Sequence, residues 1–148
     1  MEQQVQKILF PIDFSESCEK YVPWVVTIAK KFDATVYLIS VTPDVSSFAS
    51  FYAPHANIKG FQEEIKTGAE KKLKEFIAIH LKALPKVETR LATGKADERI
   101  LEVARQEKVD MIIMGSHGRT GLERTIFGSV AEKVIKNATC PVLTIRPV

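Results

Sequence analysis

Four of the seven glycines in this chain, Gly115, Gly118, Gly121 and Gly128, fall between positions 115 and 128. The stretch reads Gly115-Ser116-His117-Gly118-Arg119-Thr120-Gly121, with Gly128-Ser129 further on. Glycine admits left-handed backbone, so successive N–H groups can point into one concavity. Ser129 at the opening of a helix adds a hydroxyl to unpaired N–H groups and a positive dipole end. Arg119, Arg124 and His117 supply cationic or donor groups close by. That combination is the chemistry of an anion site suited to phosphate. There is no GxxxxGK[ST], so it is not a P-loop, and no GxGxxG follows the first strand.

The second chemical feature is Asp13, in Pro11-Ile12-Asp13-Phe14-Ser15. It breaks an apolar run, and its carboxylate can accept hydrogen bonds from both hydroxyls of a ribose. Alone, the position is better read as an Asx turn or an auxiliary cap of the first helix. Beside a phosphate-type loop, the ribose reading is preferred. His117 has no Ser/His/Asp arrangement around it, and His55 and His80 lie elsewhere, so no catalytic residue and no all-protein metal site is assigned. Cys18 and Cys140 lack CxxC spacing and read as reduced, mostly buried thiols.

The elements that must position these residues alternate between two periods. Short apolar or β-branched runs at 7–12, 34–41, 87–92, 109–114 and 141–145 read as strands. A helix capped by Ser15 carries Cys18, Val22, Val25, Ala29 and Phe32 on one stripe, with Pro23 predicting a kink or a broken first turn. A second helix starts near Phe61 and places Ile65, Ala69, Leu73, Phe76, Ile77 and Leu84 along one face. A third spans 96–108 with Ile100, Leu101 and Ala104 inward. A fourth follows Gly128 with Val130, Val134, Ile135 and Ala138 on one side. Strands alternating with helices predict an open parallel α/β sheet with helices on both faces. The strand order is not readable from the residues. In both common doubly wound orders, ligands lie outside the carboxyl ends of the strands where the winding reverses, beside the first strand. The loops after the first and fourth strands are therefore where function is sought, and the unusual residues sit there.

Composition sets the outer bounds. The chain has 148 residues, enough for one domain over 1–148. It is 45% apolar, and no long uncharged apolar run suggests a membrane span. Lys+Arg 21 against Asp+Glu 18 gives +3 without blocks of like charge, which argues against nucleic-acid and membrane partners. No signal peptide is readable at Met1–Lys7, so the cytoplasm is the expected location.

The spacing Gly115-x2-Gly118-x9-Gly128-Ser129, with Asp13 after the first strand, resembles the nucleotide-binding signature of the universal stress protein family. The resemblance runs from Lys7 through Pro147 with the same element order. It implies a five-stranded Rossmann-like sheet of order 3-2-1-4-5, ATP as the ligand, and dimers formed through the last strand. It also implies that Asp13 holds the ribose and that Pro11, Ile12 and Val41 line the adenine pocket. Met114, Gly115, Gly118, Arg119, Gly128, Ser129 and Val130 would surround ribose and phosphates, with Ser116 and His117 in the same loop. Mg²⁺ would arrive with the phosphates.

Two further features bear on partners. Residues 42–60 form a long connection with Phe48, Phe51 and Tyr52, which suits a lid over the nucleotide mouth, a subunit contact or a loop docked on its own second helix. The last strand carries Val142, Leu143 and Ile145 on what would be a sheet edge, which predicts a two-fold homodimer. The function expected is an ATP-dependent switch. A slow ATPase or phosphotransferase using Arg119, Arg124 or His117 is the alternative, and a non-catalytic interaction module the third reading. Efficient phosphoryl transfer is not expected, since no base, Walker lysine or acidic metal cluster is recognisable.

Overall fold

Five short strands run parallel, and the three central ones are apolar and largely buried. The five are β1 (Lys7–Pro11), β2 (Thr35–Thr42), β3 (Val87–Thr93), β4 (Met111–Gly115) and β5 (Val142–Ile145). The computed structural model describes residues 1–46, 57–116 and 128–146. The described helices are α1 (Glu16–Phe32), α2 (Ile58–His80), α3 (Ala96–Gln106) and α4 (Ser129–Asn137). The sheet order is β3-β2-β1-β4-β5. Lys7 pairs with Thr35, Ile8 with Met111, Val36 with Val87, and Ile112 with Val142.

Side-chain alternation divides the core into two layers. Ile8, Phe10, Val36, Leu38 and Ile113 face α1 and α2, where Val25, Ala29, Leu73 and Phe76 meet them. Leu9, Tyr37, Ile39, Ile112 and Met114 face α3 and α4, against Ile100, Leu101, Ala131 and Val134. The winding reverses between β1 and β4, so a crevice opens at their carboxyl ends.

Several local expectations change. α1 continues unbroken through Pro23. Its buried stripe gains Tyr21 and loses Phe32, which is 49% exposed at the helix end beyond the sheet. α2 begins at Ile58, ahead of Phe61, and ends at His80, so Leu84 is buried from the turn that follows. On α4 the sheet-facing residues are Ala131 and Val134, while Ile135 is 40% exposed. Ser15 occupies the N-cap of α1, but its side chain makes no cap hydrogen bond.

A polar cluster holds the amino-terminal end of the sheet. Arg90 on β3 donates to Glu107 Oε1 at 2.7 Å and stacks its guanidinium 4.9 Å from the Tyr37 ring centroid. Lys7 Nζ donates to the Glu107 carbonyl at 3.0 Å. The Arg90 hydrogen bond holds the Glu107 carboxyl below its usual 4.5. A lowered folded pKa contributes stability that is present above about 4.5 and is lost as pH falls through the folded value. In urea melts across pH, Glu107→Gln should therefore be less stable than wild type at pH 7. The gap should close as pH drops below 4.5, and a constant gap would rule this contribution out.

Candidate functional site

Where β1 and β4 diverge, the carboxyl ends of β1, β2 and β4 frame a cleft of about 640 Å³. Pro11, Ile12 and Asp13 line it from β1, and Val41 from β2. Met114, Gly115 and Ser116 line it from β4, and Gly128, Ser129 and Val130 from the start of α4. These ten residues, drawn from four separate segments of the sequence, share one cavity. His117, Gly118, Arg119 and Arg124 lie outside the described residues, as do Phe48, Phe51 and Tyr52 of the long connection.

Asp13 sits in the turn between β1 and α1. The Ile12 N–H donates to the Ile39 carbonyl at 2.9 Å, which keeps the chain on the sheet up to that point. Phe14 then adopts left-handed backbone, φ 59, and the chain swings into α1. A bulky residue in that region is strained by roughly 1–3 kcal/mol and persists only where its surroundings hold it. Asp13 does the holding. Its Oδ1 accepts the Ser15 N–H at 3.0 Å and the Cys18 thiol at 3.1 Å. Burial pushes the Cys18 thiol pKa up, so it is a protonated donor at neutral pH. The Asx turn and the cleft-lining position therefore coexist in one residue. Two donors on the same oxygen fix the plane of the carboxyl group while Asp13 faces the cavity.

Gly115 and Gly128 act differently from the sequence expectation, while Gly118 and Gly121 lie outside the described residues. Among the described glycines only Gly94 has positive φ. Gly128 is extended at φ −66, a geometry open to other residues. Gly115 is constrained by space: a Cβ there would overlap the ring of Tyr21, which is buried beneath it. β4 can thus run directly over α1. At the other end of the loop, Gly128 N–H donates to the Ser116 carbonyl at 2.5 Å. This bond pins the N-terminus of α4 against the end of β4. The N-cap residue, Gly128, has no side chain to cap α4. Its first N–H groups and the Ser129 hydroxyl thus stand at the cleft with the positive dipole end behind them.

Sequence reasoning missed one wall. α2 lines the cleft with Glu64, Ile65, Gly68, Ala69 and Lys72. Lys72 Nζ lies 5.6 Å from the Phe14 ring centroid, a cation–π distance. No motif marks these positions, because a crossover helix acquires them only by packing. The Cys18–Asp13 contact was also unread, although a polarisable donor five residues after a turn carboxylate is a usable signal.

The family model of the universal stress protein family matches residues 4–146. The chain belongs to the universal stress protein family. It is 39% identical to universal stress protein MJ0531 of Methanocaldococcus jannaschii over 98% of this chain and 84% of that one. The solved structure of MJ0577, from the same organism, is similar at TM-score 0.82 and 31% identity, covering 97% of each chain. A universal stress protein of Archaeoglobus fulgidus, solved in complex with dAMP, shares the fold at TM-score 0.69 and 20% identity, covering 97% of this chain and 99% of that one.

Within this family framework, the cleft suits a nucleotide by size and by chemistry. Its volume is in the range that encloses a small ligand. An apolar floor of Ile12, Ile39, Val41 and Met114 can take a planar base. The Asp13 carboxylate and the N-terminus of α4 both line the cleft. Among the described residues, no group of three or more His, Cys, Asp or Glu is placed to hold a metal. No described helix is long and apolar enough to cross a membrane.

Proposed function

We propose that this chain binds an adenine nucleotide, ATP foremost, in the cleft at the carboxyl ends of β1, β2 and β4 and works as a nucleotide-dependent switch. The observation that carries this is the convergence of Asp13 and the N-terminus of α4 on one cavity that Ile12, Ile39, Val41 and Met114 also line. Asp13 would accept hydrogen bonds from the ribose hydroxyls. Pro11, Ile12 and Val41 would contact the base. The α4 N–H groups and the Ser129 hydroxyl would hold phosphate oxygens, joined by His117, Gly118 and Arg119, with Gly115 and Ser116 lining the cleft beside them. Met114 and Val130 would close the cavity around the ribose. Mg²⁺ would come bound to the phosphates. The dAMP belongs to the Archaeoglobus protein; the residues that recommend such a ligand for this chain are its own.

A switch fits better than an efficient phosphotransferase. The described part of the cleft offers donors and a dipole for ground-state phosphate, and Asp13 is committed to the turn by two hydrogen bonds. Titration calorimetry with ATP tests binding, and single-turnover incubation of the bound complex tests the switch. Intact ATP recovered after many hours supports it, whereas stoichiometric ADP would make the protein a slow ATPase.

The expected assembly is a two-fold dimer through β5. That strand pairs with β4 on one side. Leu143 is 38% exposed, and Ile135 on the neighbouring α4 is 40% exposed. An apolar edge strand is a template for a second strand. Light scattering at micromolar concentration should give twice the chain mass, and Leu143→Lys should shift it toward the single-chain mass. A wild-type monomer would refute this assembly.

A further inference from the structure

Gly68 occupies the middle of α2, a helix otherwise built from good helix formers such as Lys, Glu, Ala and Leu. Glycine is the poorest helix former after proline, so its presence there calls for a reason. Two ordinary reasons fail. Its φ is not positive. Among the described residues, a Cβ built on it meets no atom within 4 Å, so no described neighbour needs the space. The contrast with Gly115, whose Cβ would overlap Tyr21, shows what a packing requirement looks like in the same molecule.

The space above Gly68 is the cleft itself, which Gly68 lines. Glu64 and Lys72, one turn before and one turn after, line it too, so the three residues form one row along the helix. Lys72 is steered over the Phe14 ring, next to Asp13. α2 packs on β2 and β3, whereas the candidate phosphate cradle lies across the crevice at β4 and α4. Whatever crosses Gly68 is thus the end of the ligand remote from the phosphates.

We infer that Gly68 is a ligand-contact position. Its missing side chain leaves room for the nucleoside half of the bound nucleotide to lie against the α2 backbone, with Glu64 and Lys72 flanking it as polar partners. This rests on the nucleotide reading of the cleft and adds to it a third wall and a determinant of nucleoside affinity.

The test sets folding stability against binding. Gly68→Ala and Gly68→Leu each place a better helix former at an open site, so both should raise Tm, by about 3 °C. Both should weaken adenosine and ATP by the same factor, and Gly68→Leu should do so roughly tenfold or more because its side chain fills ligand space. Binding of inorganic tripolyphosphate should stay as in wild type. Affinity for adenosine and ATP unchanged in Gly68→Leu, with wild type binding both, would overturn the inference and leave the nucleotide reading intact. A lowered Tm in both variants would also overturn it, since the glycine would then serve the helix. Wild-type protein that binds neither adenosine nor ATP would overturn the nucleotide reading and this inference with it.

Discussion

Asp13→Ala should weaken ATP binding by at least two orders of magnitude. A carboxylate accepting from two ribose hydroxyls makes two charge-assisted hydrogen bonds, each contributing roughly 1.5–3 kcal/mol. Losing both removes about 3 kcal/mol or more, which is a factor above 100 in Kd. The same substitution strips the acceptor for the Ser15 N–H and the Cys18 thiol. A stability loss of about 1 kcal/mol should therefore accompany it. Asp13→Asn separates the two roles. The amide oxygen can still accept at the Oδ1 position and keep the turn, while the charge is gone. It should melt close to wild type and still bind ATP at least tenfold more weakly. If Asp13→Asn bound ATP like wild type, Asp13 would be a turn residue only. Calorimetry beside thermal melts reads both quantities.

Gly115→Val should be the most destabilising single change in the cleft. The added Cβ would overlap the Tyr21 ring, and Tyr21 is 3% exposed, so the ring has nowhere to retreat without disturbing α1. Overpacking of a closed core costs typically 1–3 kcal/mol and occasionally more. Three would lower Tm by about 9 °C in a chain of this size. Gly115→Ala carries the same Cβ and should show most of the loss. Pairing Gly115→Ala with Tyr21→Leu should recover part of it, because the smaller side chain vacates the overlap. A Gly115→Ala variant melting with wild type would mean that Tyr21 moves freely and that glycine is not required by packing.

The element order and the position of the candidate cleft were legible for a physical reason. A parallel sheet covered on both faces writes continuous apolar runs, as at Thr35–Thr42, and the helices between them write a period near 3.6. The fold's crevice rule then picked out the ends of β1 and β4, and Asp13 and the glycine stretch already stood there. What the residues could not show is which side of an apolar stripe meets the sheet. Phe32 and Ile135 fit the helical spacing yet lie exposed, since the stripe on α1 outlasts the sheet and that on α4 is wider than its contact. Glycine spacing predicts left-handed turn residues, and Gly115 and Gly128 depart from that expectation. At Gly115 the constraint is a ring from α1, a non-local contact that no local pattern encodes. The α2 wall was invisible for the same reason, although a lone glycine within a strong helical sequence was a signal that the periodicity alone did not weigh.

The most direct test is calorimetric titration of ATP into the wild-type protein, with Asp13→Ala run beside it under the same conditions. Saturable binding of one ATP per chain by the wild type, falling by two orders of magnitude or vanishing in Asp13→Ala, is the result predicted. A wild-type protein that takes up no ATP at millimolar concentration, or a variant that binds it equally well, would contradict the assignment of this cleft.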